Sequence, residues 1–504
     1  MRNARAGGAP LTPRQLKLLE TVMQHSSSTV IAEPAKPRLG VERRSIDYIP
    51  HAERHGKIWQ LGTIWFSGST QIATLAVGAL GGAMGSNLLW TAIAAVLGAA
   101  FGTFFMAFHS TQGPQLGLPQ MIQSRPQFGY MGALLVWIVA LVTYVGYNAF
   151  NQVLAGDSLH HLLHIDARVG LIVFTVLSLA VAFLGHDWIH QAQQWLAVMM
   201  VVVLSILSIG IVTTVHFDAA MFSVSGFRSV PFFVQFFAAA AYQLSWAIYV
   251  SDYSRYMPAN VGVRTSFWWT YLGAFIGGAW MMLIGAAAAA IHVKTDIGAA
   301  VKQVGDAIYP GLGGLTLVLS VATLVTMTSL NFYGASLTLM SIADSLKLSK
   351  PTMRARFVSL IVVAVVATAI ALAASGDFMA KFGDFLGVLL YLFTPWTAIN
   401  LVDFYFVRKT EYSVREIFNP RGLYGRWNWR GLGAYFIGFA AMLPFSSTGF
   451  YVGPVARMLG NIDVGMVIGL VVSAAVYLLS CRSMDIRREL DLAREADRGI
   501  DSIL

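Results

Sequence analysis

Residues Pro231–Pro258 read PFFVQFFAAAAYQLSWAIYVSDYSRYMP, and the reading of this stretch decides the fold. It opens as an apolar run long enough to enter a bilayer, which takes about 20 helical residues to cross. Halfway along, Tyr242, Gln243, Ser245 and Trp246 arrive together, and Asp252 and Arg255 follow where the run should meet water. A lipid-facing helix gains nothing from Gln243, because an unsatisfied amide in hydrocarbon costs several kcal/mol. Polar side chains at that depth face another helix or a cavity. Interhelical hydrogen bonding alone is the plainer explanation. A second span with the same kind of interruption favours a substrate site.

The rest of the chain fits such a span. It has 504 residues, 56% apolar and only 12% charged, against about 25% charged in soluble domains. Its mean hydropathy is +0.63. From Ile58 to Ser124 there is no Asp, Glu, Lys or Arg, and similar charge-free blocks recur to the end. Each block holds one or two helices of roughly 20 residues. The expected fold is an all-α polytopic membrane protein with twelve transmembrane helices, over residues 59–82, 87–109, 130–155, 169–185, 193–215, 231–251, 266–291, 312–340, 357–374, 385–407, 431–447 and 465–481. An N-terminal tail, 1–57, precedes the membrane domain, 58–481, and a C-terminal tail, 482–504, follows it.

Charge sets the orientation. Six of the 34 Lys and Arg (Arg168, Arg228, Lys294, Lys302, Lys381 and Arg457) fall on one side of this topology and all the others on the side of the termini. Positively charged segments stay inside, so both termini are expected in the cytoplasm, with the protein in the plasma (inner) membrane. The net charge of +9 then reflects orientation and anionic lipid, not nucleic acid. Cys481 is the only cysteine, so no disulfide forms within the chain.

Residues 1–57 contain no apolar core of the kind a signal peptide requires. Thr12 before Pro13 reads as a helix start, and Gln15–His25 as a short helix. The first span carries Ser67, Gly68, Ser69, Thr70 and Gln71 near its middle. Glycine and hydroxyl residues there let a helix unwind and leave carbonyls free to coordinate a cation or substrate. Close packing through small residues is the ordinary use of such glycines, and Gln71 is what favours a site. In the third span Tyr144 and Asn148, four apart, share one helix face. The eighth span concentrates Thr323, Thr326, Thr328, Ser329 and Asn331. Hydroxyls commonly satisfy the backbone of their own helix; Asn331 is harder to dismiss.

Histidine clusters carry less. His160, His161 and His164, with Asp157, read as part of an external loop, and His186 and His190 flank Asp187 in a short loop. Neither set has the further ligand a metal site needs, and solvated helix ends explain them better. The segment from Arg482 to Leu504 reads as a charged helix without visible chemistry.

Four stretches carry a family likeness. ERRSIDYIPHAERHGKIW before the first span, GPQLGLPQMIQSRPQFGYMG after the second, SDYSRYMP ending the sixth and NLVDFYFVRK ending the tenth resemble the purine–cytosine permease family of nucleobase:cation symporters. The likeness runs from about Val41 to Arg482 with the motifs in order. It implies two inverted five-helix repeats plus two extra helices, with helices 1 and 6 broken at the midplane and substrate held between them and helices 3 and 8. The family's substrate positions map to Tyr144, Asn148, Gln243, Trp246 and Asn331, and the interruption of span 1 adds Ser69 and Gln71. Many relatives have Trp where this chain has Tyr144. Sodium-coupled relatives show paired Thr in helix 8, where this chain has Thr326 followed by Met327, a poor ligand for a hard cation.

The expected function is a secondary active transporter importing a nucleobase, cytosine or purine, or a related neutral heterocycle, by cation symport. Protons are favoured over sodium. Sodium would need carbonyls around Ser67 and Thr70 together with hydroxyls such as Thr326 and Ser329, and Met327 interrupts that set. Asp252 is the proton candidate by elimination, with a helix-end partnership to Arg255 as its other reading. No span places a formal charge near its middle, which suits a neutral substrate that stacks and hydrogen-bonds. Allantoin, hydantoin or a sugar would fit the same groups. A membrane enzyme would show converging carboxylates or histidines at depth, and a channel or receptor a pore-lining repeat or sensory domain; none is found. No cofactor is expected, and the partners are a small-molecule substrate, a coupling cation and the bilayer.

Overall fold

The computed structural model describes residues 47–184, 186–291, 297–346, 352–374 and 378–500. The short helix expected at Gln15–His25 lies outside them. Every one of the twelve expected segments is helical. In chain order these are α1, in two pieces, Trp59–Ser69 and Ile72–Gly78; α2, Leu88–Ser110; α3, Leu134–Leu163; α4, Ala167–Leu184; α5, His186–Thr214; and α6, also in pieces, Ser229–Ser245 and Val250–Ser254. There follow α7, Val263–Ile291; α8, Leu312–Ser345; α9, Met353–Ala374; α10, Phe378–Val402; α11, Trp429–Met442; and α12, Gly465–Cys481. Eight of the described helices, α2, α3 and α5 to α10, meet the length and hydropathy of a membrane span by themselves. The other four are shorter or interrupted. The chain is a polytopic all-α membrane protein.

Two groups of helices pack across the site. α1, α2, α6 and α7 contact one another, and α3, α4, α8 and α9 form a second set; α5 lies on α8, and α10 links α6 to α11 and α12. Small residues set the approach distance, as expected where helices gain nothing from leaving lipid and must pack closely instead. A Cβ on Gly102 of α2 would lie 2.2 Å from the carbonyl oxygen of Ala240 on α6. One on Gly285 of α7 would lie 1.9 Å from that of Leu75 on α1.

The structure corrects several boundaries. His160 and His161 belong to the last turn of α3, not to a loop, and His164 is its left-handed cap (φ 56°). His186 begins α5, so no loop separates it from His190. Residues 47–57 are not tail: Tyr48 and Ile49 are buried, and the Arg54 guanidinium donates to the carbonyls of Ile49 and Pro114, both at 2.8 Å.

The segment after Arg482 is helical, as expected, but it is docked rather than free. Helix α13, Ile486–Ala496, starts at Asp485, whose side chain accepts from Arg488 N. Its Glu489 takes a 2.7 Å bond from Arg408 Nε at the end of α10. Arg494 pairs with Glu411 at 2.6 Å. Asp497 accepts from the Ser413 hydroxyl and the Val414 amide at 2.8 and 2.7 Å. Inside this seam Asp403, fully buried, holds Arg408 at 2.5 Å and accepts from Tyr477, Tyr412 and Gln127.

Candidate substrate site

α1 stops where the sequence weakens it. The helix ends at Ser69, Thr70 leaves the helical region (φ −88°, ψ 71°), Gln71 is extended (φ −148°, ψ 160°), and helix resumes at Ile72. A Cβ on Gly68 would meet nothing within 4 Å, so open space lies beside the backbone just before the break. α6 yields less. Its α-helix passes at Ser245 into a 3₁₀ turn, Trp246–Tyr249, and Tyr249 (φ −138°, ψ 14°) precedes the short helix Val250–Ser254.

The two breaks meet through Tyr242. Its hydroxyl accepts from Gln71 Nε2 at 3.1 Å and pairs with the Thr74 hydroxyl at 2.7 Å. Around them stands a box of rings. Trp246 meets Trp65, Tyr242 and Tyr249 edge-on, with centroids 5.9, 6.0 and 5.9 Å apart. Tyr144 of α3 lies nearly parallel to Tyr249, 5.7 Å away. The Tyr147 hydroxyl pairs with that of Ser245 at 2.8 Å. α8 closes the box: a Cβ on Gly334 would lie 2.8 Å from the Tyr144 ring.

On the helices that carry these rings, buried polar atoms lack protein partners. They include Gln71 Oε1, both side-chain polar atoms of Asn148, Asn151 Oδ1, both of Gln152, and the indole nitrogens of Trp65 and Trp246. Native interiors satisfy nearly all such groups, and hydrocarbon offers no water to help. These orphans sit on α1, α3 and α6, the helices that carry the rings, and each has a hydrogen bond still to make.

The residues expected at the site separate on inspection. Gln71 and Trp246 are linked through Tyr242, and Trp246 and Tyr144 through Tyr249; Asn148, buried, stands one turn of α3 beyond Tyr144. Asn331 is half-buried on α8, between Thr328, which takes a 3.2 Å bond from Asn151, and Gly334, which faces Tyr144. Gln243 points elsewhere: its Nε2 donates to the Ala274 carbonyl of α7 at 2.9 Å, and only its Oε1 is unpartnered. Ser69, buried, borders α7 at Gly277.

The groups expected to hold a cation each have a protein partner. The carbonyls of Phe66, Ser67, Gly68 and Ser69 already accept, in turn, from the Thr70 hydroxyl, the Thr70 amide, Gln71 Nε2 and the Gln71 amide. The Thr326 hydroxyl donates to the Thr323 carbonyl. The Ser329 hydroxyl lies 2.8 Å from the Ser178 carbonyl of α4 and 2.6 Å from the Val325 carbonyl of its own helix. Met327 faces α5, where Gln193 Nε2 lies 3.1 Å from its sulfur. One carboxylate oxygen of Asp252 accepts from the Gln120 amide at 2.8 Å, and Arg255 reaches the Asp252 carbonyl at 3.3 Å. Sequence reasoning passed over Trp65, Asn151, Gln152 and Tyr249. Asn151 and Gln152 were open to the rule that selected Asn148; the rings were not, since an aromatic residue in an apolar run is usually packing.

A family model for permeases of cytosine/purines, uracil, thiamine and allantoin matches residues 48–469. The putative purine-cytosine permease YxlA of Bacillus subtilis is 36% identical over 441 residues, covering 87% of this chain and 95% of that protein. The purine-cytosine permease fcyB of Emericella nidulans is 27% identical, with 91% and 92% covered. Among solved structures, Mhp1, a nucleobase-cation-symport-1 family transporter in a closed conformation with bromovinylhydantoin bound, superposes with a TM-score of 0.71 at 18% identity, over 92% of this chain and all of that one. It shares the fold. With both breaks, the ring box and a match across most of its length, this chain belongs to the family of permeases for cytosine/purines, uracil, thiamine and allantoin.

Proposed function

We propose that this permease imports a nucleobase, cytosine or a purine, by cation symport, with protons as the coupling ion. The observation that carries the reading is a set of unpartnered amide atoms, Gln71 Oε1, Asn151 Oδ1 and both of Asn148, on the helices that carry a box of six uncharged rings. Amides match the donors and acceptors on the edge of a neutral base, and ring faces match its plane. Trp246 and Tyr144 stack on the base in this reading, Asn148, Asn331 and Gln71 bond its edge, and Gln243 holds α6 against α7. The names of two relatives, both purine-cytosine permeases, point the same way.

Protons are preferred because Met327 follows Thr326 where a hard cation would want a second hydroxyl oxygen, and its sulfur is turned to Gln193 of α5. The twelve helices as spans, the five-plus-five inverted repeat and cytoplasmic termini belong to the same proposal. A second reading, transport of a hydantoin, draws on a relative named hydantoin permease, 23% identical over 445 residues. Counterflow of labelled cytosine and labelled hydantoin in proteoliposomes decides between them. Exchange of neither would overturn the nucleobase reading and its alternative together.

A further inference from the structure

Beside the start of α11 and the end of α12 lies a cleft of about 660 Å³, and none of its lining residues belongs to the ring box. Arg430, in the first turn of α11, ties the two helix ends together. Its guanidinium donates to the Ser480 carbonyl at 3.2 Å and to the Ser483 hydroxyl at 3.1 Å. Both partners are neutral, so no carboxylate offsets this exposed charge. Arg408 and Glu489, also on the cleft wall, are already paired with each other at 2.7 Å.

The loop that leads into α11 is held by its backbone. The carbonyls of Gly425 and Arg426 accept from the amides of Tyr130 and Met131 at 3.0 and 2.9 Å, and the Asn428 amide donates to the Phe128 carbonyl at 2.9 Å. Asn428 then caps α11, its side chain accepting from the Arg430 amide at 3.2 Å, and the positive end of the helix dipole opens at the cleft. This leaves the side chains of Arg426, Trp427 and Trp429 exposed. The two indoles lie 6.2 Å apart with planes 18° from parallel, 48% and 74% exposed. Arg482, directly after α12, and Arg488, in the first turn of α13, are exposed as well. The side chains of Arg426, Arg482 and Arg488 bond no other described residue.

We propose that this cleft binds an anionic phospholipid, its phosphate among Arg426, Arg430 and Arg482 and its acyl chains along α11 and α12. The inference rests on the reading of those two helices as spans and is independent of the substrate carried. Guanidinium groups with no carboxylate between them suit a phosphate, which they hold through paired N–H donors. Basic pockets between spans at the membrane surface take anionic headgroups, and indoles settle at that depth. What selects an amphipathic ligand over a soluble phosphate is the surface that follows. Phe436, seven residues after Trp429, and Val471, seven before Leu478, continue exposed apolar strips along one face of each helix.

α13 turns 85° from the axis of α12. With α12 crossing the bilayer, α13 lies along its surface, and the cleft sits at the bend. A lipid there bridges the loop before α11, the end of α12 and the seam in which Glu489 meets Arg408. A ligand held only by the folded chain stabilises it by mass action, so the lipid keeps α13 docked.

The test is thermal unfolding of the purified full chain in nonionic detergent, titrated with dioleoylphosphatidylglycerol, dioleoylphosphatidylcholine or glycerol phosphate. Phosphatidylglycerol should raise the midpoint, and the other two should not. Arg426→Gln combined with Arg482→Gln should raise the phosphatidylglycerol concentration needed by at least about tenfold, at roughly fivefold per basic residue near a membrane. Neither side chain bonds the protein, so this double variant should fold. Arg426→Lys combined with Arg482→Lys, which keeps both charges, should retain most of the response. Arg457→Gln, on the opposite side of the topology, should retain all of it. An equal rise with phosphatidylcholine overturns the proposal in favour of a general lipid coat, and an equal rise with glycerol phosphate in favour of a soluble phosphate. A double Gln variant with the wild-type response, or a wild type indifferent to phosphatidylglycerol, overturns it as well.

Discussion

The hydroxyl of Tyr242 on α6 accepts from Gln71 Nε2, 171 residues earlier in the chain, at 3.1 Å. The contact joins the broken point of α1 to the last turn of α6 before its own break. Tyr242→Phe removes the acceptor and leaves a buried amide donor with only the Gly68 carbonyl. An unsatisfied buried group costs about 1–3 kcal/mol, so base affinity should fall by about tenfold. Calorimetry of the purified variant checks this, and unchanged affinity would mean that Gln71 plays no part at the site.

Asn148→Ala and Asn331→Ala should abolish uptake while leaving protein in the membrane, because each removes an amide from the proposed base-bonding set. Gln243→Ala should differ. Its bond to the Ala274 carbonyl links α6 to α7, so thermal stability should fall together with transport. Counterflow and thermal unfolding on the same preparations separate the two effects. Normal transport in all three variants would sink the assignment.

Trp246 is predicted to stack on the base. Trp246→Phe should weaken binding and Trp246→Ala nearly eliminate it, since aromatic pairing is worth roughly 0.5–1.5 kcal/mol beyond the area it buries. Should the ring only pack against Trp65 and Tyr249, the alanine variant would lose thermal stability and keep its affinity in the folded fraction.

Arg408→Met should be among the most destabilising changes. It leaves Asp403 buried beside Tyr412, Tyr477 and Gln127 without a cation, and breaking a buried ion pair from one side costs about 3–5 kcal/mol. Glu489→Gln, partly exposed on α13, should cost less. Ending the chain after Arg482 should lower stability by releasing Glu489, Arg494 and Asp497 from α10 and the loop beyond it. Thermal unfolding in detergent reads all three; a truncated chain as stable as the full one would show the docking to be incidental.

The driving ion is decided by gradients. One positive charge crossing 100 mV supplies about 2.3 kcal/mol, roughly fifty-fold accumulation of a neutral substrate. Uptake into vesicles should follow an imposed pH gradient with sodium absent. Uptake that follows a sodium gradient and ignores pH would reverse the choice of ion.

Much of the architecture was legible from the residues. A charge-free block has one stable arrangement in a bilayer, the helix that satisfies its own backbone, so twelve segments could be drawn and all twelve are helical. The α1 break was legible as well, since Ser67-Gly68-Ser69-Thr70-Gln71 is a poor piece of lipid-facing helix. What stayed hidden was direction. Asn148 and Gln243 look alike as amides at depth, yet one is without any protein partner and the other is spent on the α7 backbone. Ser329 is a hydroxyl in the expected helix, but its face meets α4.

Periodicity gives the angle of a residue around its own helix, and by itself the sequence went that far: membrane class, helix positions, family and the weak points of α1 and α6. It does not say which distant helix stands at that angle. Only the packing of remote segments settled that Tyr242 serves Gln71, that His109 lies on Trp396, and that Glu489 of a charged terminal helix closes on Arg408. Each of these contacts joins residues more than 80 positions apart, where no local propensity reaches.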